Sequence, residues 1–206
     1  FDVTLDGNFA NISLTGVSNK NLNSRIIPGF PKTLEGKTDG KIVQQEKEIF
    51  WVEDKTVIKA MEIPSTKIYS YKAKDNVFIA ATAGQNEGKL WAVTTFGEVY
   101  LLDNQLNVLE GWPVLTGQKT GADISSFADS VIIPGENGTV CIVKTDGSVK
   151  LENLNLNGSI KSPAAVLGNT AALYDKSFMG RILYFEDGNL KDNVSVFSGI
   201  GFGTPS

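Results

Sequence analysis

Four acidic residues, Asp54, Asp123, Glu136 and Asp175, stand near the ends of apolar runs in a chain of 206 residues. A pair of carboxylates is the minimum equipment for hydrolysing a glycoside: one protonates the leaving oxygen while the other attacks the sugar or activates water. Beyond carboxylates the chemical inventory is thin. There is no histidine, which removes Ser-His-Asp and Cys-His arrangements and every imidazole ligand. The single cysteine, Cys141, lies in the apolar run "GTVCIVK" and reads as a small buried hydrophobe; it can form neither an intramolecular disulfide nor a cysteine-based metal site.

The remaining candidate motifs resolve into turns. "TDG" at 145–147 and "EDG" at 186–188 do not continue into the alternating ligand set of a calcium loop and read as hairpin turns. No helix follows "GIGFGTPS" to present amides to a phosphate, and "GQNEGK" has the wrong spacing for a P-loop. Asn11, Asn137, Asn157 and Asn193 match the glycosylation pattern, which an asparagine-rich chain also produces by accident. No metal site is expected. The 19 basic and 23 acidic residues are interspersed, so there is no electrostatic footprint for nucleic acid or an anionic membrane. No apolar run is long enough to span a bilayer as a helix, and the start at Phe1 suggests a processed or trimmed N-terminus.

The elements that would position these residues follow from a repeat. "KTVIKAM" starts at Lys55, "GEVYLLD" at Gly97, "GTVCIVK" at Gly138 and "GRILYFEDG" at Gly180, in steps of 42, 41 and 42 residues. A weaker copy, "GNFANIS", starts at Gly7, and "TGVSNKNLNSR" after it reads as a long loop. That loop explains why "PGFP" (28–31) and "GWP" (111–113) recur at an irregular distance while occupying the same place in different repeats. In both, proline ends ladder pairing, glycine permits the bend, and Phe30 or Trp112 covers apolar surface.

Each period reads as four short strands divided by glycine, asparagine and aspartate, with no sustained helical periodicity. Four-stranded units of this length are the blades of an all-β propeller. The expected blades are 1–35 plus 199–206, 36–74, 75–117, 118–157 and 158–198, forming a single domain. The first 32 residues supply three strands and lack a first; "GIGFGTPS" supplies a first strand and stops. Pairing them would close a five-bladed ring without free edges. The alternative is an arc of a seven- or eight-bladed ring.

Ser162–Leu190, "SPAAVLGNTAALYDKSFMGRILYFEDGNL", resembles the quinoprotein-type, or PQQ-like, propeller repeat, and "GWPVLTG" and "PGFP" are similar to connections in bacterial repeat propellers. Enzymatic members carry a tryptophan in most repeats, an adjacent cysteine pair and acidic calcium ligands. This chain has only Trp51, Trp91 and Trp112 and one cysteine. The resemblance therefore implies the non-catalytic branch, without cofactor, which includes a periplasmic lipoprotein scaffold of outer-membrane protein assembly and surface or secreted binding modules.

The expectation is a non-enzymatic propeller acting as a protein-interaction scaffold, extracytoplasmic (periplasmic, secreted or surface) in a bacterium. Its contact surface is placed on turns joining second to third strands, at Asp54, Phe96, Glu136, Asn137, Phe178 and Met179. These acids and aromatics could grip a protein or peptide segment or stack on a sugar; blade packing explains the same aromatics. A carbohydrate-binding propeller is the alternative, although "TFGE", "GENG" and "SFMG" do not repeat one sugar site. A five-bladed glycoside hydrolase is third.

Overall fold

The computed structural model describes residues 37–38, 41–83, 88–156, 158–160, 162–175, 179–186 and 189–196, together with the backbone of five short strands before them. Those strands are β1 (Asp2–Asp6), β2 (Phe9–Ser13), β3 (Thr15–Gly16), β4 (Arg25–Ile26) and β5 (Lys32–Thr33). β1, β2 and β5 form one antiparallel sheet, in which Val3 pairs with Ile12 and Leu5 with Ala10. β3 pairs with β4, so the ends of the expected long loop are themselves a short ladder.

Four complete four-stranded antiparallel sheets follow. Blade I contains β6 (Val43–Gln45), β7 (Glu48–Glu53), β8 (Val57–Glu62) and β9 (Ile68–Lys72). Blade II contains β10 (Val77–Ala81), β11 (Leu90–Thr94), β12 (Glu98–Leu102) and β13 (Val114–Leu115). Blade III contains β14 (Ser125–Phe127), β15 (Ser130–Pro134), β16 (Thr139–Lys144) and β17 (Val149–Asn153). Blade IV contains β18 (Ala165–Leu167), β19 (Thr170–Tyr174), β20 (Gly180–Glu186) and β21 (Asn189–Val196). The ring-closing segment, 199–206, lies outside the described residues, as does Phe30.

The third strands start at Val57, Glu98, Thr139 and Gly180, 41 residues apart each time. The uneven steps in the sequence come from the preceding turns. Blade II makes a turn closed by Gly97 N–H to Thr94 C=O (2.9 Å), with Gly97 at φ +83°. A Cβ there would collide with the Gln118 carbonyl and the Thr116 hydroxyl, so glycine is required by conformation and by space. Blade III repeats this with Gly138 at φ +69°. Blade I instead closes Thr56 N–H on Glu53 C=O (3.2 Å) with positive φ at both Asp54 (+48°) and Lys55 (+62°). That is a type I′ turn, normally filled by Asn-Gly or Asp-Gly.

Blade II departs from the expected fourth strand "NVLEGWPV". Only Val114–Leu115 pairs with β12, with an isolated bridge between Leu102 and Val108. The interruption has local causes. Asp103 turns the chain by accepting the N–H groups of Gln105 and Asn107 at 2.8 Å, Leu106 and Gly111 have positive φ, and Pro113 has no N–H to donate. The strand begins directly after "GWP", just as β5 begins directly after "PGFP". The "TDG" reading as a hairpin holds: Gly147 N–H meets Lys144 C=O at 2.9 Å, and the Ser148 hydroxyl and N–H bond the Asp146 carboxylate, holding its pKa below the usual range. Residues 187–188 of "EDG" lie outside the described residues.

Adjacent blades pack face to face. Between I and II lie Val43, Phe50, Val52, Ile58 and Ala60 against Ile79, Leu90, Ala92, Tyr100 and Leu102. The alternate face of blade II, with Ala80, Trp91, Val93, Val99 and Leu101, meets Val131, Ile133, Cys141 and Val143 of blade III. The other face of blade III, with Ile132, Val140 and Ile142, meets Ala171, Leu173, Leu183 and Phe185 of blade IV. Strands buried on both faces explain why "LWAVT" and "SVIIP" are continuously apolar rather than alternating. Each fully buried aliphatic side chain contributes about 1.5–3 kcal/mol.

The first strands β6, β10, β14 and β18 are neighbours in that order, the arrangement of inner strands around a propeller axis. Side chains tie them across blades. The Gln45 amide meets Thr82 Oγ1 at 3.1 Å, Ser126 donates to the Ala81 carbonyl, and Ser125 donates to the Ala164 carbonyl at 2.8 Å.

Candidate functional site at the turn-bearing end of the ring

Antiparallel order places the second-to-third-strand turns at the same end as the linkers that enter each first strand. Backbone hydrogen bonds join the two sets. The linker into blade I bonds the turn of blade I, through Asp54 N–H to Lys37 C=O at 3.0 Å and a bridge between Thr38 and Glu53. The linker into blade II lies between two turns: Val77 N–H donates to Lys55 C=O and Thr95 N–H donates to Asn76 C=O, both at 2.8 Å. The linker into blade III repeats the pattern, with Thr120 N–H to Thr95 C=O at 3.0 Å and Glu136 N–H to Lys119 C=O at 3.2 Å. Ile160 does so for blades III and IV, donating to Gly135 C=O at 3.2 Å and bridging Asp175. Each linker after the first thus fastens one turn to the next.

The residues expected at this end are distributed along the ladder. Asp54 is exposed in the I′ turn of blade I. Phe96, 57% exposed, projects from the blade II turn, and the Lys119 ammonium lies 5.2 Å from its ring centroid. Glu136 and Asn137 are exposed in the blade III turn, and the Glu136 Cγ packs over Gly121. Lys119 therefore brings Phe96 and Glu136 together, one through its ammonium and the other through its carbonyl. Met179 is half-buried and donates its N–H to Asp175 Oδ1 at 3.0 Å; Phe178 lies outside the described residues.

The four acids do not share one environment. Asp175 is fully buried and organises its own turn, Asp54 and Glu136 are exposed on different blades, and Asp123 is half-buried in the linker before β14. Among the described residues no group of three or more acidic or cysteine side chains gathers as a metal site. The tryptophans serve packing. Trp51 donates to Glu53 Oε1 at 2.9 Å, and Trp91 meets Trp112 edge-on, with centroids 5.4 Å apart. Burial pushes the Cys141 thiol up to about 12.

A cleft of about 270 Å³ opens at the same end beside β10, which lies between the first strands of blades I and III. Val52, Val77, Phe78 and Ile79 supply apolar lining; Lys41, Lys55, Asn76 and Asp123 supply polar groups. The sequence singles out Asp123 as an acid but not Lys41, Asn76 or Lys119, which lie in linkers, nor Lys55, which reads only as the start of a repeat beside Asp54. The available signal was position: Asn76 immediately precedes the apolar first strand of its blade, and Lys41 stands two residues before β6.

No family model matches the sequence, and no curated protein matches it significantly. Solved structures do. The crystal structure of the computationally designed Ika4 protein superposes with a TM-score of 0.60 and 10% identity, over 74% of this chain and 94% of that one. BamB from Moraxella catarrhalis gives 0.62 and 15%, over 79% of this chain and 51% of that one. The Neurospora crassa Pan2 WD40 domain gives 0.57 and 9%, over 75% and 51%. The chain thus spans about half the length of BamB and of the Pan2 domain. At these identities the likeness shows the fold alone: this chain is a β-propeller of four-stranded antiparallel blades.

Proposed function

We propose that this chain is a non-enzymatic propeller module that holds a protein partner on its turn-bearing end. The observation that carries the reading is the Phe96–Lys119–Glu136 unit: an exposed aromatic ring capped by a cation, on a linker whose backbone carbonyl is hydrogen-bonded to the exposed acidic turn of the next blade. A surface fixed in this way loses little conformational freedom on binding, which favours affinity from a small contact. The resemblance of Ser162–Leu190 to PQQ-like repeats, together with the single cysteine and only three tryptophans, supports assigning the module to the non-catalytic branch, outside the bacterial cytoplasm.

The test is capture. Immobilised chain is compared with a Phe96→Ala, Lys119→Glu variant in extracts of the bacterium that encodes it. A protein retained by the first and lost from the second supports the reading. Equal retention by both, or a thermal shift with an oligosaccharide and no protein capture, overturns it.

A further inference from the structure

Building on this protein-binding role, we infer that the cleft beside β10 receives a carboxylate carried by an extended segment of the partner. Two lysines from different parts of the chain line it, Lys41 from the linker into β6 and Lys55 from the turn between β7 and β8. Both residues are exposed, and among the described residues neither ammonium has a hydrogen-bond or ion-pair partner. Five other lysines are engaged, Lys59, Lys74 and Lys191 with Glu53, Glu98 and Glu186, and Lys67 and Lys119 over aromatic rings; what sets Lys41 and Lys55 apart is that both line one cleft.

Lys55 is also set in place by a conformation that glycine adopts more readily. Its φ is +62°, its carbonyl is fixed by the Val77 N–H at 2.8 Å, and the corresponding turns of blades II and III place glycine at their positive-φ residues. The backbone of Asn76 is fixed through its carbonyl, which accepts the Thr95 N–H at 2.8 Å and the Thr95 hydroxyl at 3.1 Å. Asn76 is itself one of the residues that line the cleft.

The charges in the cleft are separated. Lys41 and Lys55 come from blade I, and Asp123 comes from the linker into blade III on the other side of β10. The complementary group is a carboxylate on a short apolar stem with an N–H donor nearby. An acidic side chain within a peptide offers all three: the carboxylate for the lysines, methylenes for Val77 and Phe78, and a backbone N–H for Asp123.

The experiment titrates the whole chain with two short acetylated, amidated peptides that differ only in a central Glu or Gln, and with free L-glutamate. The Glu peptide should bind at least about tenfold more tightly than the Gln peptide, a difference of about 1.4 kcal/mol. Raising salt should shrink the preference, and Lys41→Gln with Lys55→Gln should abolish it. Lys55→Gly provides a second variant with a relaxed turn. Equal binding of the two peptides, a preference that survives in the double variant, or free glutamate binding as tightly as the Glu peptide overturns the inference. If the peptides fail while capture still depends on Phe96, the protein-binding role stands without this cleft. If both fail, both fall.

Discussion

The Lys119 ammonium lies 5.2 Å from the centroid of the Phe96 ring while the Lys119 carbonyl accepts the Glu136 N–H at 3.2 Å. One linker residue therefore couples two turns on adjacent blades. An exposed cation–π contact contributes about 0.5–1 kcal/mol, so Phe96→Ala should lower stability by no more than that. Partner binding should suffer far more. Parallel melting curves and capture assays on Phe96→Ala check this; a large loss of stability would show that Phe96 belongs to the core.

Lys55 and Gly97 make opposite predictions about similar turns. Relieving a positive φ at a non-glycine residue returns about 1–2 kcal/mol, less about 0.4–1 kcal/mol for the freer unfolded chain. Lys55→Gly should therefore stabilise the protein by about 0.5 kcal/mol. Gly97→Ala forces the same conformation and drives a Cβ against the Gln118 carbonyl. It should cost more than about 2 kcal/mol. Denaturant unfolding of both variants tests the pair, and destabilisation by Lys55→Gly would show that the I′ turn is relaxed as it stands.

The difference between these turns also marks how far the sequence could be read. Glycine at 97 and 138 gave the period because positive φ and close backbone approach leave no other choice. Continuous runs such as "LWAVT" signalled burial on two faces, which only stacked sheets supply. The broken fourth strand of blade II was concealed by ordinary strand-like residues at Val108 and Leu109, and Asp103 diverts the chain before they can pair regularly. The cleft was less legible still. Lys41, Lys55, Asn76 and Asp123 are separated in sequence and converge only because β10 sits between two other first strands. No local pattern encodes that convergence.

Cys141 is 1% exposed, and burial alone lifts its thiol pKa to about 12. The folded value lies above the unfolded one near 9.0. The stabilisation associated with the neutral thiol is thus complete below pH 9 and is lost as pH rises through 12, at up to about 1.4 kcal/mol per pH unit. A chromogenic disulfide reagent at neutral pH should react only as fast as the chain opens. Cys141→Ala should flatten the alkaline decline in melting temperature. Rapid labelling of the native protein would contradict the burial.

Among the described residues, blade IV differs from blades II and III in having a packed neighbour on only one sheet face. Ala172, Ile182 and Val194 stand in register across β19, β20 and β21, beside Tyr184, and Tyr174, Tyr184, Val194 and Val196 are 41–46% exposed. The corresponding residues of blade III are covered on both faces, as Ile133 and Ile132 show. An apolar sheet face of this kind binds apolar dyes and favours association. Tyr184→Lys with Val194→Lys should therefore reduce dye binding and concentration-dependent light scattering while changing stability by less than about 1 kcal/mol. Ile142→Lys, on the covered face of blade III, should instead unfold the chain, because it buries an unpaired charge between sheets. Unchanged dye binding in the double variant would mean that this face is covered in solution; unfolding of that variant would place Tyr184 and Val194 in the core.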